Sequence, residues 1–278
     1  MPAILLGGFG LLIGSFLNVV AYRVPLRRSI VSPPSACPIC GTPIRSRDNI
    51  PVISWILLRG KCHSCRSPIS VRYPIVELGT GLFFAAVAVW FGVSMVSTSS
   101  TTGIAVATGI AASILGLVAF LYLAAISVVL ALIDLDTHTL PNRIVLPSYI
   151  VGIALLGAAS LLGGDYAALL RAGIGMAALW LAYLAMALTY PGGMGFGDVK
   201  LAGVLGLYLA WVGWGALAVG AFAAFLLGGL FSIGLIIARK AGRKSGIPFG
   251  PWMLAGAWIG IFFGETIASG YLTLVGLE

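Results

Sequence analysis

Residues 105–133 read AVATGIAASILGLVAFLYLAAISVVLALI, an apolar run that contains no charged side chain. A membrane helix needs about 20 such residues to cross the hydrocarbon core of a bilayer. The run is long enough for one tilted helix, or for a shorter helix with an extension. It ends at Asp134-Leu-Asp136, and Pro141 a little further on cannot continue a helix. The segment therefore predicts a membrane helix that leaves the bilayer near Asp134.

The composition of the whole chain agrees with this interpretation. Hydrophobic residues make up 60% of the chain, charged residues make up 9%, and the mean hydropathy is +1.08. Integral membrane proteins have this composition. The 38 glycines fit the small-residue contacts between membrane helices, so a collagen-like or disordered chain is excluded. We expect an all-α membrane protein without a large separate soluble domain.

Apolar segments of suitable length recur along the whole chain. The candidate spans lie near 3–22, 74–94, 105–133, 144–163, 167–189, 199–212, 214–238 and 250–271. We therefore predict about eight transmembrane helices. Seven and nine stay open as alternatives, because the third candidate is long and the sixth is short.

The basic residues predict the orientation of these helices, because Lys and Arg favour cytoplasmic loops. With eight spans, every Lys and Arg except Arg171 falls on one side of the membrane. This asymmetry predicts a cytoplasmic loop between the first two spans and an external location for both termini. Residues 1–22 then form a first membrane helix rather than a signal peptide. The net charge of +8 is a topology signal, and nucleic acid is not an expected partner.

The predicted cytoplasmic loop contains all of the cysteines in the chain, arranged as two Cys-x-x-Cys pairs. They are Cys37, Cys40, Cys62 and Cys65. Two such pairs at this separation are typical of a zinc site with four thiolate ligands, which is closed and structural. Disulfides are disfavoured in the reducing cytoplasm, and redox-active thiols stay open as the alternative. His63 lies inside the second pair and is not expected to be a ligand.

Few acids lie at the edges of the apolar segments, and a carboxylate there is costly unless it is functional. Asp134 and Asp136 end the third span, and Asp198 begins the sixth. Two residues apart on a helix, Asp134 and Asp136 point about 200° apart and cannot pair with each other. Asp198 reaches the same interface because two spans lie between, so it can form a dyad with one of them. Glu265 is expected to be interfacial. For Glu77, an ion pair with an arginine and a ligand role both stay open.

Glycines surround Asp198 in Gly192-Gly-Met-Gly-Phe-Gly-Asp-Val-Lys200. Glycine allows positive φ and close backbone approach, which predicts an unwound entry into the sixth span and contact with another helix. Two carboxylates within about 3 Å cannot both be ionised. One then keeps a proton while the other activates a water, as in aspartic proteases.

The segment Gly195-Phe-Gly-Asp198 resembles the Gly-x-Gly-Asp signature of membrane aspartyl proteases, and the whole chain resembles the bacterial type IV prepilin peptidases. The resemblance covers residues from about 8 to 255, in the order found in that family. The matching motifs are Gly14-Ser-Phe-Leu-Asn18-Val-Val-Ala-Tyr-Arg23-Val-Pro25, the two Cys-x-x-Cys pairs, Arg72-Tyr-Pro-Ile-Val-Glu77, Ile133-Asp-Leu-Asp136 with Leu140-Pro141, Gly193-Met-Gly-Phe-Gly-Asp-Val-Lys200 and Ile247-Pro-Phe-Gly-Pro251.

The resemblance implies a bifunctional enzyme of a prokaryotic plasma membrane. Such an enzyme cleaves the basic leader peptide from prepilins and pseudopilins at the cytoplasmic face, and then methylates the new amino terminus with S-adenosylmethionine. The catalytic aspartates of the family correspond to Asp134 and Asp198, with Asp136 as second choice for the first acid. Supporting motif residues are Gly195, Gly197 and Lys200. One departure is Asn142, where many members carry Asp.

The resemblance also implies a division of the chain. Residues 1–104, with the four-cysteine loop at 23–73, are associated with methyl transfer, and residues 105–278 form the peptidase bundle with a core at about 105–220. The candidate S-adenosylmethionine contacts are Asn18, Arg23 and Glu77. The sequence contains no glycine-rich turn of a Rossmann-type site, so methyl transfer rests on the resemblance alone.

Three alternatives stay open at this point. A proton- or metal-coupled transporter would place its acids near the middle of the bilayer. A non-enzymatic assembly scaffold would tolerate Asp198→Asn. A peptidase that lacks methyltransferase activity would cleave the leader and leave the new amine unmodified.

Overall fold

The computed structural model describes residues 1–96, 104–189, 194–238 and 248–276. The α-helices in these ranges are α1 (Pro2–Arg23), α2 (Ile53–Leu57), α3 (Arg72–Val96), α4 (Ile104–Thr137), α5 (Asn142–Gly163), α6 (Tyr166–Thr189), α7 (Phe196–Val212), α8 (Trp214–Ile237) and α9 (Gly250–Leu274). A short 3₁₀ helix spans Ser46–Asn49. The described part of the chain contains no β-strand beyond two isolated bridges, so the all-α prediction is confirmed.

Seven of these helices are long and apolar enough to cross a membrane, namely α1, α3, α4, α5, α6, α8 and α9. The remaining predicted span, 199–212, lies in α7, which has 17 residues. That length is at the lower limit of about 17 to 25 residues for a spanning helix. The predicted count of about eight is therefore approximate. The chain is a multi-pass membrane protein.

The chain divides into two compact units. The first comprises Met1–Ser99 with Phe120–Val129, and the second comprises Ser100–Ala119 with Leu130–Glu278. In the first unit α1 packs on α3 through glycines. A Cβ on Gly14 would lie 2.7 Å from Glu77 Cα, and one on Gly10 would lie 2.8 Å from Phe84 Cβ. These glycines therefore allow the two helices to approach closely.

In the second unit α7 packs against α5, α6, α8 and α9. Its residues from Val199 to Ala210 are almost all buried, except at Lys200. A helix that is apolar on every side is a core helix. This environment explains how α7 can be shorter than its neighbours.

Two charged side chains bind the free backbone groups where α7 ends and α8 begins. Arg171 donates to the carbonyl oxygens of Ala210 at 2.6 Å and Trp211 at 2.9 Å, at the end of α7. Glu265 accepts a 3.1 Å hydrogen bond from the Ala216 N–H, at the start of α8. Both signs match the helix dipoles. Arg171, the exception in the charge pattern, thus has a local role, and Glu265 is a helix-capping residue rather than only an interfacial one.

Gly256 gives a direct test of the close packing of α8 on α9. A Cβ at this position would lie 2.7 Å from Ala224 Cα and 2.8 Å from the Gly220 carbonyl oxygen, both backbone atoms. We expect Gly256→Ala to destabilise the protein by about 1–3 kcal/mol, because the helices must move apart. The measurement is the thermal midpoint in detergent. Gly234→Ala is the matched control, since a Cβ there meets no atom within 4 Å. Equal midpoints for the two variants would contradict the packing argument.

Candidate active site

Asp134 lies near the end of α4, and only 4% of its surface is exposed. Its Oδ2 accepts a 3.0 Å hydrogen bond from the backbone N–H of Gly250, the first residue of α9. A carboxylate at the amino end of a helix is stabilised by the free N–H groups and by the helix dipole. Asp136, two residues further on, is exposed. The two side chains thus lie in opposite environments, as their separation along a helix predicts.

Asp198 lies in the first turn of α7, and its Oδ2 accepts a 3.2 Å hydrogen bond from the Gly195 N–H. This contact is the acidic half of a capping box. Gly195 has φ −78°, and Gly197 is not among the described residues with positive φ, so neither glycine is used for a positive φ. Gly197 allows the backbone of α7 to approach Leu140 closely, since a Cβ there would lie 3.0 Å from Leu140 Cβ. Gly192 and Gly193 lie outside the described residues.

Asp134 and Asp198 lie in the same compact unit, near the end of α4 and in the first turn of α7. Leu140 connects their surroundings, because it lies against both Gly197 at the start of α7 and Gly250 at the start of α9. Two carboxyl groups compete for one proton when they lie within about 3 Å of each other. Such a pair can hold and activate a water.

Lys200, the polar residue two positions after Asp198, faces α5. Its Nζ donates a 3.0 Å hydrogen bond to Asn142 Oδ1, and its carbonyl oxygen accepts one of 2.6 Å from the Tyr149 hydroxyl. These contacts hold the first turn of α7 against the start of α5. The departure at Asn142 is therefore compatible with this contact, because an amide oxygen accepts from an ammonium group as a carboxylate would.

An aromatic cluster lies beside the two acids, and no sequence motif predicted it. The rings of Tyr183, Phe225 and Phe249 come from α6, from α8 and from the residue before α9, with centroids 5.4 to 6.4 Å apart. The charge of Asp198 reaches Tyr183. Phe249 directly precedes Gly250, which contacts Asp134. The cluster therefore forms an apolar wall next to the carboxyl pair.

The four cysteines lie together in the first unit. Their Sγ atoms are all within 4.8 Å of one another, and those of Cys37 and Cys65 are 3.8 Å apart. Tetrahedral zinc with Zn–S bonds of about 2.3 Å requires S–S separations of about 3.8 Å. His63 is exposed and does not belong to this cluster of ligand atoms. The donor set fits a closed zinc site.

The two Cys-x-x-Cys pairs form equivalent turns. Cys37 N–H donates to Thr42 O at 3.0 Å, and Cys62 N–H donates to Ser67 O at 2.8 Å. Isolated bridges, Ala36 with Pro43 and Lys61 with Pro68, close each turn. The residue after each second cysteine has positive φ, namely Gly41 at 69° and Arg66 at 61°. The loop thus contains a local structural repeat of the same turn.

Hydrogen bonds favour the thiolate form, which is the form that binds zinc, at two of the four cysteines. Backbone N–H groups of Cys40 and Ile39 lower the pKa of Cys37 to about 6. The hydroxyl of Ser67 lowers the pKa of Cys65. Donors aimed at sulfur stabilise its negative charge.

Asn18, Arg23 and Glu77 all bond to backbone groups of the first unit. The Asn18 amide donates to Tyr73 O at 3.3 Å, and the Arg23 guanidinium donates to Ser29 O at 3.1 Å and Pro33 O at 2.8 Å. Glu77 is buried and accepts a 2.7 Å hydrogen bond from the Val52 N–H, so one partner of its carboxylate is the loop backbone. Arg23 and Glu77 thus hold the four-cysteine loop against α1 and α3, and Asn18 joins α1 to the first turn of α3.

Two protein families match the chain. Residues 9–91 match the bacterial peptidase A24 N-terminal domain, and residues 121–233 match the type IV leader peptidase family. Among curated proteins, a prepilin leader peptidase/N-methyltransferase of Aeromonas hydrophila is 37% identical, with 95% of this chain and 92% of the relative covered. Proteins with the same description are 33% identical in Pseudomonas aeruginosa, covering 97% and 93%, and 33% identical in Bacillus subtilis, covering 96% of each. No solved structure matches the chain.

Proposed function

Because the chain belongs to the type IV leader peptidase family, we propose that it cleaves prepilin leader peptides with Asp134 and Asp198 as the catalytic pair. The observation that carries this assignment is that Leu140 lies against both Gly197, which precedes Asp198, and Gly250, which donates its N–H to Asp134. Pseudopilins, which share the leader chemistry, are the further expected substrates. The scissile bond lies at the cytoplasmic face, where the basic leader of the substrate meets the membrane.

The mechanism follows from the chemistry of a carboxyl pair that shares one proton. The ionised carboxylate takes a proton from a water placed between the two groups, and the water oxygen attacks the scissile carbonyl carbon. The protonated carboxyl donates to the carbonyl oxygen, which forms a tetrahedral gem-diol. Collapse of this intermediate breaks the C–N bond as a proton passes to the leaving nitrogen. The products are the leader, with a new carboxyl group, and a pilin with a free amino terminus.

The second proposed activity is methylation of that new amino terminus, with S-adenosylmethionine as methyl donor, in residues 1–104. The family names carry this proposal, since the relatives are called N-methyltransferases. Asn18, Arg23 and Glu77 stay candidate contacts by resemblance. Their hydrogen bonds to the loop backbone support a role in holding the loop, so we derive no methyl-transfer step through them.

The four cysteines are proposed to bind one structural zinc ion. All four ligand positions would be filled by sulfur, so the ion would hold the loop and would not meet a substrate. The proposed orientation places this loop on the cytoplasmic side, where its many basic residues are favoured. The net charge of the loop gives no reason to expect nucleic acid as a partner.

The test uses purified protein in detergent, a prepilin and S-adenosylmethionine with a labelled methyl group. The expected products are a shortened pilin and label on its new amino terminus, both identified by mass spectrometry. An uncleaved prepilin would contradict the peptidase proposal. A shortened pilin without label would leave the peptidase and remove the methyltransferase.

A further inference from the structure

The segment Pro248-Phe249-Gly250-Pro251 has no role in the mechanism above, yet its Gly250 contacts Asp134, one of the catalytic pair. We propose that Gly250 is a positioning residue, whose N–H and lack of a side chain hold the Asp134 carboxylate in place opposite Asp198. The inference rests on the proposed function of these two acids. It assigns a task to a motif outside the aspartate motifs themselves.

The first turn of α9 directs one N–H toward Asp134. Trp252 and Met253 donate their N–H groups to the Phe249 carbonyl oxygen at 3.0 and 3.1 Å, and Pro251 has no N–H. Gly250 instead donates to Asp134 Oδ2 at 3.0 Å, in a buried contact. A carboxylate bound in this way loses rotational freedom, which fixes the direction of its other oxygen. A catalytic group must be held within about 0.5 Å of its productive position.

Only glycine leaves room for this contact. A Cβ on Gly250 would lie 2.7 Å from Asp134 Oδ2, 3.3 Å from Asp134 Cγ and 3.3 Å from Leu140 Cδ2. Backbone strain does not explain the glycine, because Gly250 is helical and is not among the described glycines with positive φ. The requirement is close approach of the backbone to the carboxylate. Any side chain here would push Asp134 away from its place.

Leu140 joins Gly250 to the other half of the pair. A Cβ on Gly197 would lie 3.0 Å from Leu140 Cβ and 3.5 Å from its Cδ1. The same side chain thus lies between the start of α7 and the start of α9. Asp198 belongs to the first of these helix starts, and Asp134 of α4 is hydrogen-bonded to the second. Its neighbour Pro141 restricts the backbone of Leu140 to extended conformations.

The packing of the Phe249 ring fixes the backbone of the adjacent Gly250 in space. Its ring packs against Tyr183 and Phe225, with centroids 6.4 and 5.4 Å away. A Cβ on Gly228 of α8 would lie 2.9 Å from Phe249 Cε2, so α8 is also in close contact. Two helices, α6 and α8, therefore pack against the residue before Gly250.

The main test is Gly250→Ala, measured as kcat and KM for prepilin cleavage. We expect kcat to fall at least about 100-fold, since a displacement of about 1 Å costs that much, while KM changes less than about threefold. Gly229→Ala is the control with full activity, because a Cβ at Gly229 of α8 meets no atom within 4 Å. An unchanged kcat for Gly250→Ala would overturn the proposal, as would equal losses in methylation of an already cleaved pilin.

Two double variants separate an effect on Asp134 from simple crowding of Leu140. The Cβ of Gly197→Ala meets only Leu140 among its nearest atoms, with Leu140 Cβ the nearest at 3.0 Å, so Leu140→Gly should restore that variant to the rate of Leu140→Gly alone. Leu140→Ala should not restore Gly250→Ala, because the contact with Asp134 remains. Restoration of Gly250→Ala by Leu140→Ala would overturn the proposal.

A third variant covers the case in which Gly250→Ala does not fold. Phe249→Ala keeps the Gly250 N–H and adds no atom near Asp134, but it removes the ring clamp. Its kcat should fall at least about tenfold with KM retained, and an unchanged kcat would overturn the proposal. Asp134→Asn in the same assay distinguishes a failure of the proposed catalytic pair from a failure of the proposed positioning role. If that variant cleaves normally, the catalytic pair is wrong; if it is inactive and Gly250→Ala is not, only the positioning role is wrong.

Discussion

Asp198→Asn is expected to lower the rate of prepilin cleavage by at least about 10²–10⁴-fold, the contribution typical of a general acid or base. Asparagine has the shape of aspartate, and its amide oxygen can still accept the Gly195 N–H at the start of α7. It cannot share a proton with Asp134 or take one from water. The fold should survive while the chemistry is lost. The measurement is the initial rate of leader release from purified prepilin.

Methylation of an already cleaved pilin is the internal control for Asp198→Asn. That reaction needs no peptide cleavage, so it should proceed at the wild-type rate if the variant is folded. Asp136→Asn is the variant that discriminates between the two candidates on α4, because Asp136 is exposed and Asp134 is buried. Normal cleavage by Asp198→Asn would contradict the proposed pair. If Asp136→Asn were inactive and Asp134→Asn were active, Asp136 would be the first catalytic acid in place of Asp134.

Cys37→Ser is expected to remove zinc from the protein and to unfold the loop around it. Cys37 is the most buried of the four cysteines, and the loss of one thiolate opens a closed site. Binding of structural zinc contributes on the order of 10 kcal/mol to local folding, and this contribution would be lost. We expect less than about a tenth of an equivalent of zinc per chain, with rapid trypsin cleavage at Arg45, Arg47 and Arg59.

His63→Ala is the matched control for Cys37→Ser. His63 lies between Cys62 and Cys65 but is exposed and outside the cluster of sulfur atoms. Its replacement should leave the zinc content and the trypsin pattern of the wild type. A zinc content near one equivalent in Cys37→Ser, or a loss of zinc in His63→Ala, would contradict the four-thiolate assignment.

The membrane helices could be predicted from the sequence because each needs a long apolar run, which is a local property. The segment in α7 was harder to assign. Its residues are as apolar as those of a spanning helix, but the neighbouring helices bury them on nearly every side. Composition alone does not distinguish burial in protein from burial in lipid. The tasks of Arg171 and Glu265 were missed for a related reason, since their partners are backbone groups at distant helix ends.

The geometry of the cysteine cluster could also be predicted, because two tight turns present each pair of sulfur atoms. The contact of Gly250 with Asp134 could not, since it joins residues far apart in the sequence. Only the motif Pro248-Phe249-Gly250-Pro251 indicated that the start of α9 has a specific role. The roles of Asn18 and Glu77 were equally hidden, because hydrogen bonds to backbone leave no complementary residue in the sequence.

The central claim is that Asp134 and Asp198 act as one unit, and the double variant Asp134→Asn/Asp198→Asn tests it most directly. Its residual cleavage rate is measured beside both single variants, with long incubations and mass spectrometry. Groups that act together show strongly non-additive losses, so the account predicts a double variant within about threefold of the slower single variant. A double variant whose loss is the product of the two single losses would show that the acids act independently, and would contradict the account.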